Sequence, residues 1–316
     1  MCRQPDGEME NFMLRKPVLA KTSDRRILAQ TNVICGNPEE WFDSDFFRGM
    51  GVYTASFDFF VNWENESICN EVWIKRISDS TDIQEVDEDR LIELISECDG
   101  RNKSQRLYHF LREQGMREKY MLFRDVPEIR WSRGEEWVVE FDLTRFRNGA
   151  ISYLNANEIQ DRIRQLRRTS VPIGNAGLIY STSSLEGYLS RQPYFWPGDV
   201  DTVLFDRNNR VIAVVEFKKH TARSSIPFEN QGIGNYLERD ILKYKSLALL
   251  RDRFQTRLFV LYYPIPQDID YIIVEELCGE PAALGQGLRV ELALPQRNNA
   301  DRMRAFAEDF MNLVIN

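Results

Sequence analysis

The chain of 316 residues is poor in histidine, with two, and its five cysteines are scattered. Cys2, Cys35, Cys69, Cys98 and Cys278 form no CxxC pair, and none lies close in sequence to His109 or His220. That spacing argues against a Cys/His zinc site and suits reduced thiols. A run of about 18 apolar residues, the minimum for a membrane-spanning helix, is missing as well. The opening MCRQPDGEMENFMLRK lacks the apolar core of a secretory signal. Internal repeats and low-complexity tracts are also absent. A soluble, cytoplasmic protein with no membrane association is expected.

What is present is a globular balance of 43% hydrophobic and 28% charged residues. The length suits one large domain or two ordinary ones, either able to bury a core. The net charge of −8 argues against a protein that coats nucleic acid through bulk basicity. Its distribution says more than its sum. Residues 1–150 carry 21 basic and 29 acidic side chains, whereas residues 151–316 carry 20 of each. Within 207–257, 11 Lys/Arg stand against 5 Asp/Glu, a local surplus of +6. Local patches of this kind, and not total charge, meet phosphates.

Pattern along the first half predicts strands over 52–63 and 68–77, helices over 87–98 and 104–114, and strands over 119–124 and 136–143. This reads as an α+β domain over 1–150, whose role would be recognition of substrate or partner. A boundary is expected near 149–157. A basic helix follows at 157–169, with Arg162, Arg164, Arg167 and Arg168 read first as a solvated face and second as a phosphate-contacting one. The second domain, 151–316, then runs through a short strand at 176–180 and a helix capped by the serines of 181–184. Strands at 199–206 and 211–217 are joined by the turn Asp206-Arg207-Asn208-Asn209. A loop at 221–234, a helix at 235–251, strands at 257–263, 270–277 and 288–294, and a helix at 299–314 complete it.

The chemistry concentrates in GDVDTVLFDRNNRVIAVVEFKK, beginning at Gly198. Side chains alternate along a strand, so Asp199 and Asp201 share a face, as do Glu216 and Lys218. If both pairs point the same way, carboxylates and an ammonium converge beside a buried sheet. Such charges are costly to bury unless paired or bound to a cation, and oxygen ligands suit Mg²⁺ or Mn²⁺. The backbone carbonyl of Phe217 is a further candidate ligand.

An acid on one strand, then E-x-K on the next behind an apolar stretch, resembles the PD-(D/E)xK nuclease superfamily: here Asp201, then VVEFK at 214–218. The resemblance covers residues 183–263, which follow the family's order of helix, strands, helix, strand. It implies a restriction-endonuclease-like mixed β-sheet flanked by helices, preceded by the α+β domain. It also implies a metal-dependent endonuclease hydrolysing DNA phosphodiester bonds with Mg²⁺, for which Mn²⁺ substitutes.

On that resemblance Asp201, Glu216 and Asp199 hold metal, Lys218 orients or activates water, and Glu186 from the preceding helix supplies a further carboxylate, with Glu158 the weaker choice. Lys219, Arg223, Lys243, Lys245 and Tyr244 would face nucleic acid. Action as a homodimer is a further implication by analogy. Two departures stand out: Gly198 replaces the name-giving proline, and Asp240 replaces glutamine in the family's Gln-x-x-x-Tyr pair with Tyr244. Three alternatives stay open. The fold could bind nucleic acid or protein without cutting; the hairpin could simply be solvated; or the chain could be an interaction protein driven by its acidic first half. His220 reads as a surface histidine before a substrate contact, and Trp196 as an anchor before a base-stacking platform.

Overall fold

Apolar runs such as VVEF and LFVLYY are too continuous for a half-solvated sheet and too short for helices, and they form strands buried on both faces. A computed structural model describes residues 13–80, 82–170 and 177–315; Cys2, the opening twelve residues and Ala176 of the expected 176–180 strand lie outside them.

In chain order the strands are β1 (Leu14–Arg15), β2 (Ala20–Lys21), β3 (Asp24–Leu28), β4 (Tyr53–Asn62), β5 (Ser67–Ser78), β6 (Arg117–Phe123), β7 (Val138–Asp142), β8 (Ile151–Leu154), β9 (Tyr180–Ser181), β10 (Gly198–Phe205), β11 (Val211–His220), β12 (Leu258–Pro264), β13 (Tyr271–Cys278) and β14 (Gly285–Ala293). The helices are α1 (Pro38–Phe42), α2 (Asp45–Gly49), α3 (Glu88–Asp99), α4 (Arg101–Glu113), α5 (Glu128–Ser132), α6 (Ala156–Arg167), α7 (Ser184–Leu189), α8 (Ile241–Phe254) and α9 (Ala300–Ile315). The class is mixed α/β. No helix of the described residues is long and apolar enough to cross a membrane.

The chain divides into two units, and the division is interleaved instead of falling once near residue 150. The first holds residues 1–28, 70–165 and 170–196; the second holds 29–69, 166–169 and 197–316. The reason is strand pairing: β4, from the first half of the sequence, is the antiparallel neighbour of β10.

In the first unit, β5 and β6 are parallel, which requires a crossover, and α3 and α4 supply it. β7 and β8 extend the sheet as antiparallel strands, and β1 pairs with β5 on its other side. A small sheet, β3-β2-β9, accompanies it.

The second unit is built on the order β14-β13-β12-β11-β10-β4. β10 and β11 form a hairpin. Its turn is set by Asp206, whose carboxylate accepts from the N–H groups of Asn208 and Arg210, while Asn209 takes the left-handed conformation that asparagine tolerates. β11 and β12 are parallel, and α8 is their crossover. One face of this sheet packs against α1, α2 and α9 through Trp41, Phe42, Phe47, Phe306 and Phe310. Phe217 belongs to that face and stacks on Phe42. By alternation, its neighbours Glu216 and Lys218 are turned to the opposite face, where α8 lies.

Candidate active site

The hairpin register places Thr202 opposite Val215, so the next step brings Asp201 beside Glu216. Between Val200 and Val203 the ladder with β4 slips, because β10 carries one residue more than its partner. That bulge includes Asp201. Bulges of this kind re-aim side chains and favour active sites. Asp201 turns inward and accepts a hydrogen bond from the Phe217 N–H at 2.6 Å. Burial, and next to it the Glu216 charge, push its carboxyl well above the usual aspartate range.

Glu216 is 1% exposed. Two ammoniums meet its Oε1: Lys243 Nζ at 2.7 Å and Lys218 Nζ at 3.5 Å. Its Oε2 is sealed from solvent, and the only group against it among the described residues is the raised Asp201 carboxyl. Lys218 also reaches Asp240 Oδ2 at 3.4 Å, and lies 5.3 Å and 5.2 Å from the ring centres of Tyr236 and Tyr244. Both cation–π contacts and the Asp240 ion pair fix its position. Burial works to raise the Asp240 carboxyl, yet Arg239 and Lys218 outweigh it and hold Asp240 below its ordinary value. Lys243 extends from the first turn of α8 and also approaches Asp199 Oδ1 at 3.7 Å. Burial draws its pKa down, but Glu216, Asp199 and Asp201 outweigh that, so the ammonium is held charged well above the usual lysine range.

The structure therefore brings together Asp199, Asp201, Glu216 and Lys218, as the sequence suggests, and adds Asp240 and Lys243 as charge partners. Among the described residues, no group of three or more His, Cys, Asp or Glu is arranged to hold a metal ion. Lysine ammoniums occupy the space beside Glu216 that a cation would share. Even so, the donor set suits an oxygen-seeking divalent ion. A buried carboxylate oxygen without a partner is energetically costly, and a second carboxyl is crowded beside it.

Several expected site residues have other roles. Glu186 belongs to the first unit and is a helix-capping residue: its N–H donates to Ser183 Oγ, and its Oε2 accepts from Thr182 N–H at 2.7 Å and Thr182 Oγ1 at 2.5 Å. Glu158 closes a reciprocal capping box with Asn155 at the start of α6. Glu186 is expected in the site from its place on the helix preceding Asp201, yet Ser-x-x-Glu and Asn-x-x-Glu are also helix-start signals, and capping is the role both glutamates have here.

Tyr244, expected to face nucleic acid, is wholly buried against Lys218, with its hydroxyl unpartnered. It is part of the site's floor, since an aromatic ring on the inner face of α8 has no route to a surface groove. Lys219 donates to the Gln30 carbonyl and Lys245 pairs with Glu66. Arg251 and Arg257 are committed to Asp252, Glu276 and backbone carbonyls. Part of the local surplus of +6 is thus spent on the fold, while Arg207, Arg223, Arg239 and Arg253 are exposed.

Trp196 is buried on Trp73 and Phe123 in the first unit, an anchor and not a stacking platform. His220 is buried too, packed on Phe228, where burial lowers its pKa. The basic helix α6 turns Arg162 to Glu140 and buries Arg167.

No family model matches this chain, and no curated protein or solved structure matches it either.

Proposed function

We propose that the β10–β11 hairpin carries the active site of a metal-dependent phosphodiesterase, in the manner of PD-(D/E)xK nucleases, acting on DNA. The observation that supports this best is Glu216. It is a buried carboxylate in the middle of β11, with two ammoniums on one oxygen and only a second carboxyl beside the other.

In this reading Asp201 and Glu216 hold the ion, with the half-exposed Asp199 at its outer edge and the Phe217 carbonyl as a further ligand. A divalent cation there supplies Lewis acidity for the scissile phosphate and a nucleophile from bound water. Mg²⁺ suits the oxygen donors, and Mn²⁺ should substitute. Lys218 orients the attacking water and offsets charge developing on the phosphate. Asp240 and the rings of Tyr236 and Tyr244 keep that ammonium in place. Arg223 and the solvent-facing Arg239 offer contacts to the nucleic-acid backbone.

Incubation of the full chain with Mg²⁺ or Mn²⁺ and a panel of linear, circular and single-stranded DNA, with RNA alongside, tests the reading. Cleavage that requires the metal and disappears on chelation is expected. Nucleic-acid binding with no cleavage under any divalent metal would replace this reading with that of a binding module that keeps the fold.

A further inference from the structure

The two lysines beside Glu216 are held in different ways. Lys218 has three supports that are independent of Glu216: the Asp240 carboxylate and two tyrosine rings. Among the described residues Lys243 has ion pairs only with Glu216 and Asp199, and both belong to the set that would hold a metal. Its side chain is 34% exposed, and that of Asp199 is 46% exposed, so the Lys243 stem reaches solvent at the mouth of the cluster while its ammonium sits inside, on Glu216. A divalent cation on these carboxylates removes the reason for Lys243 to stay and adds like-charge repulsion at close range. The ammonium rides on a flexible four-carbon stem and can leave without disturbing the helix.

We infer that Lys243 is an exchangeable internal cation: it neutralises Glu216 and Asp199 in the metal-free protein, and a divalent ion displaces it toward solvent, where it can meet a phosphate. This rests on the metal-site reading above and extends it. Metal and phosphate binding then become coupled, each strengthening the other by the same factor. The metal-free protein keeps its carboxylates compensated, and its phosphate-binding ammonium is withheld until the ion arrives.

Amine labelling of the full chain by reductive methylation, read residue by residue by mass spectrometry, tests this with and without saturating Ca²⁺. Calorimetric titration with Mn²⁺ and Ca²⁺ is run alongside. Labelling of Lys243 is expected to accelerate at least severalfold with Ca²⁺, while Lys119 and Lys218 do not change. Glu216→Gln should accelerate Lys243 labelling with no metal present. Lys243→Met, with Lys243→Gln as the second variant, should bind Mn²⁺ at least tenfold more tightly than wild type.

If metal binds and is lost in Glu216→Gln, but Lys243 labelling is unchanged by Ca²⁺, the exchange is overturned and the metal site stands. Unchanged Mn²⁺ affinity in both Lys243 variants overturns it equally. Absence of any metal binding to the wild-type chain overturns the exchange and the metal site together.

Discussion

Each unit of this protein buries a lysine between carboxylates, and the two clusters are finished differently. In the first unit, Lys119 is 2% exposed and pairs with Glu71 at 3.0 Å and Glu140 at 3.1 Å. Trp73 donates to Glu71 at 2.8 Å, and Arg162 to Glu140 at 3.0 Å. None of these side chains keeps an unsatisfied buried atom among the described residues. In the second unit, Glu216 is as deeply buried, yet its Oε2 and the nearby Tyr244 hydroxyl go without partners. Lys243 and Asp199 open toward solvent. The same residue types thus make a closed strut in one place and an open site in the other. What separates them is whether every acceptor is filled, because an incomplete buried network is costly unless something else completes it.

This comparison can be broken most sharply at Lys119. Lys119→Met removes the cation from between two buried carboxylates and should cost about 3–5 kcal/mol, read by chemical denaturation. A cost below about 1 kcal/mol, the level of a surface ion pair, would show that the cluster is no strut. At the open site the opposite balance is expected. Glu216→Gln should leave stability near wild type or above it, while nucleic-acid cleavage falls on the order of 100-fold or more. A variant that loses both equally would erase the distinction.

Glu118 sharpens the contrast within the first unit, because it is buried with both oxygens unpartnered. Burial pushes its carboxyl up to about 8, from an ordinary 4.5. The folded state therefore prefers the protonated acid. The stability this provides is complete below pH 4.5 and is lost as pH rises toward 8, at about 1.4 kcal/mol per pH unit. Thermal unfolding across that window should show Glu118→Gln matching wild type in acid and exceeding it above pH 8. Identical profiles would place the carboxyl in a more polar setting than the structure gives it. A smaller effect is expected from Lys218→Arg, roughly tenfold on cleavage rate with nucleic-acid affinity kept, since a planar fork cannot sit between two tyrosine rings as a compact ammonium does. Arg223→Ala should do least, weakening nucleic-acid binding and lowering its salt dependence by about one unit of slope.

The hairpin was legible because its signals are local. Near-continuous apolar residues, the Asp206–Asn209 turn and E-x-K fix β10, β11 and the placement of Glu216 within a few residues. α3, α4, α8, α9 and β12 to β14 follow the expected order for the same reason. Pairings between distant segments were not legible. β4 joins β10 across more than a hundred residues, and no periodicity within either strand announces it. The extra residue near Asp201 depends on that pairing, so it was not legible either. Lys243 is 27 residues from Glu216, and only the length of the loop before α8 determines that they meet. Glu186 stands on the expected helix, but its capping contacts to Thr182 and Ser183 were not legible from its position relative to Asp201.

The most direct test of the central claim compares the two clusters in one assay. Mg²⁺-dependent cleavage of duplex DNA is measured for wild type, Asp201→Asn and a Glu71→Gln variant of the sealed network. Cleavage is expected from wild type, none from Asp201→Asn at unchanged fold, and a normal rate from whatever fraction of Glu71→Gln remains folded. Undiminished cleavage by Asp201→Asn would contradict the claim.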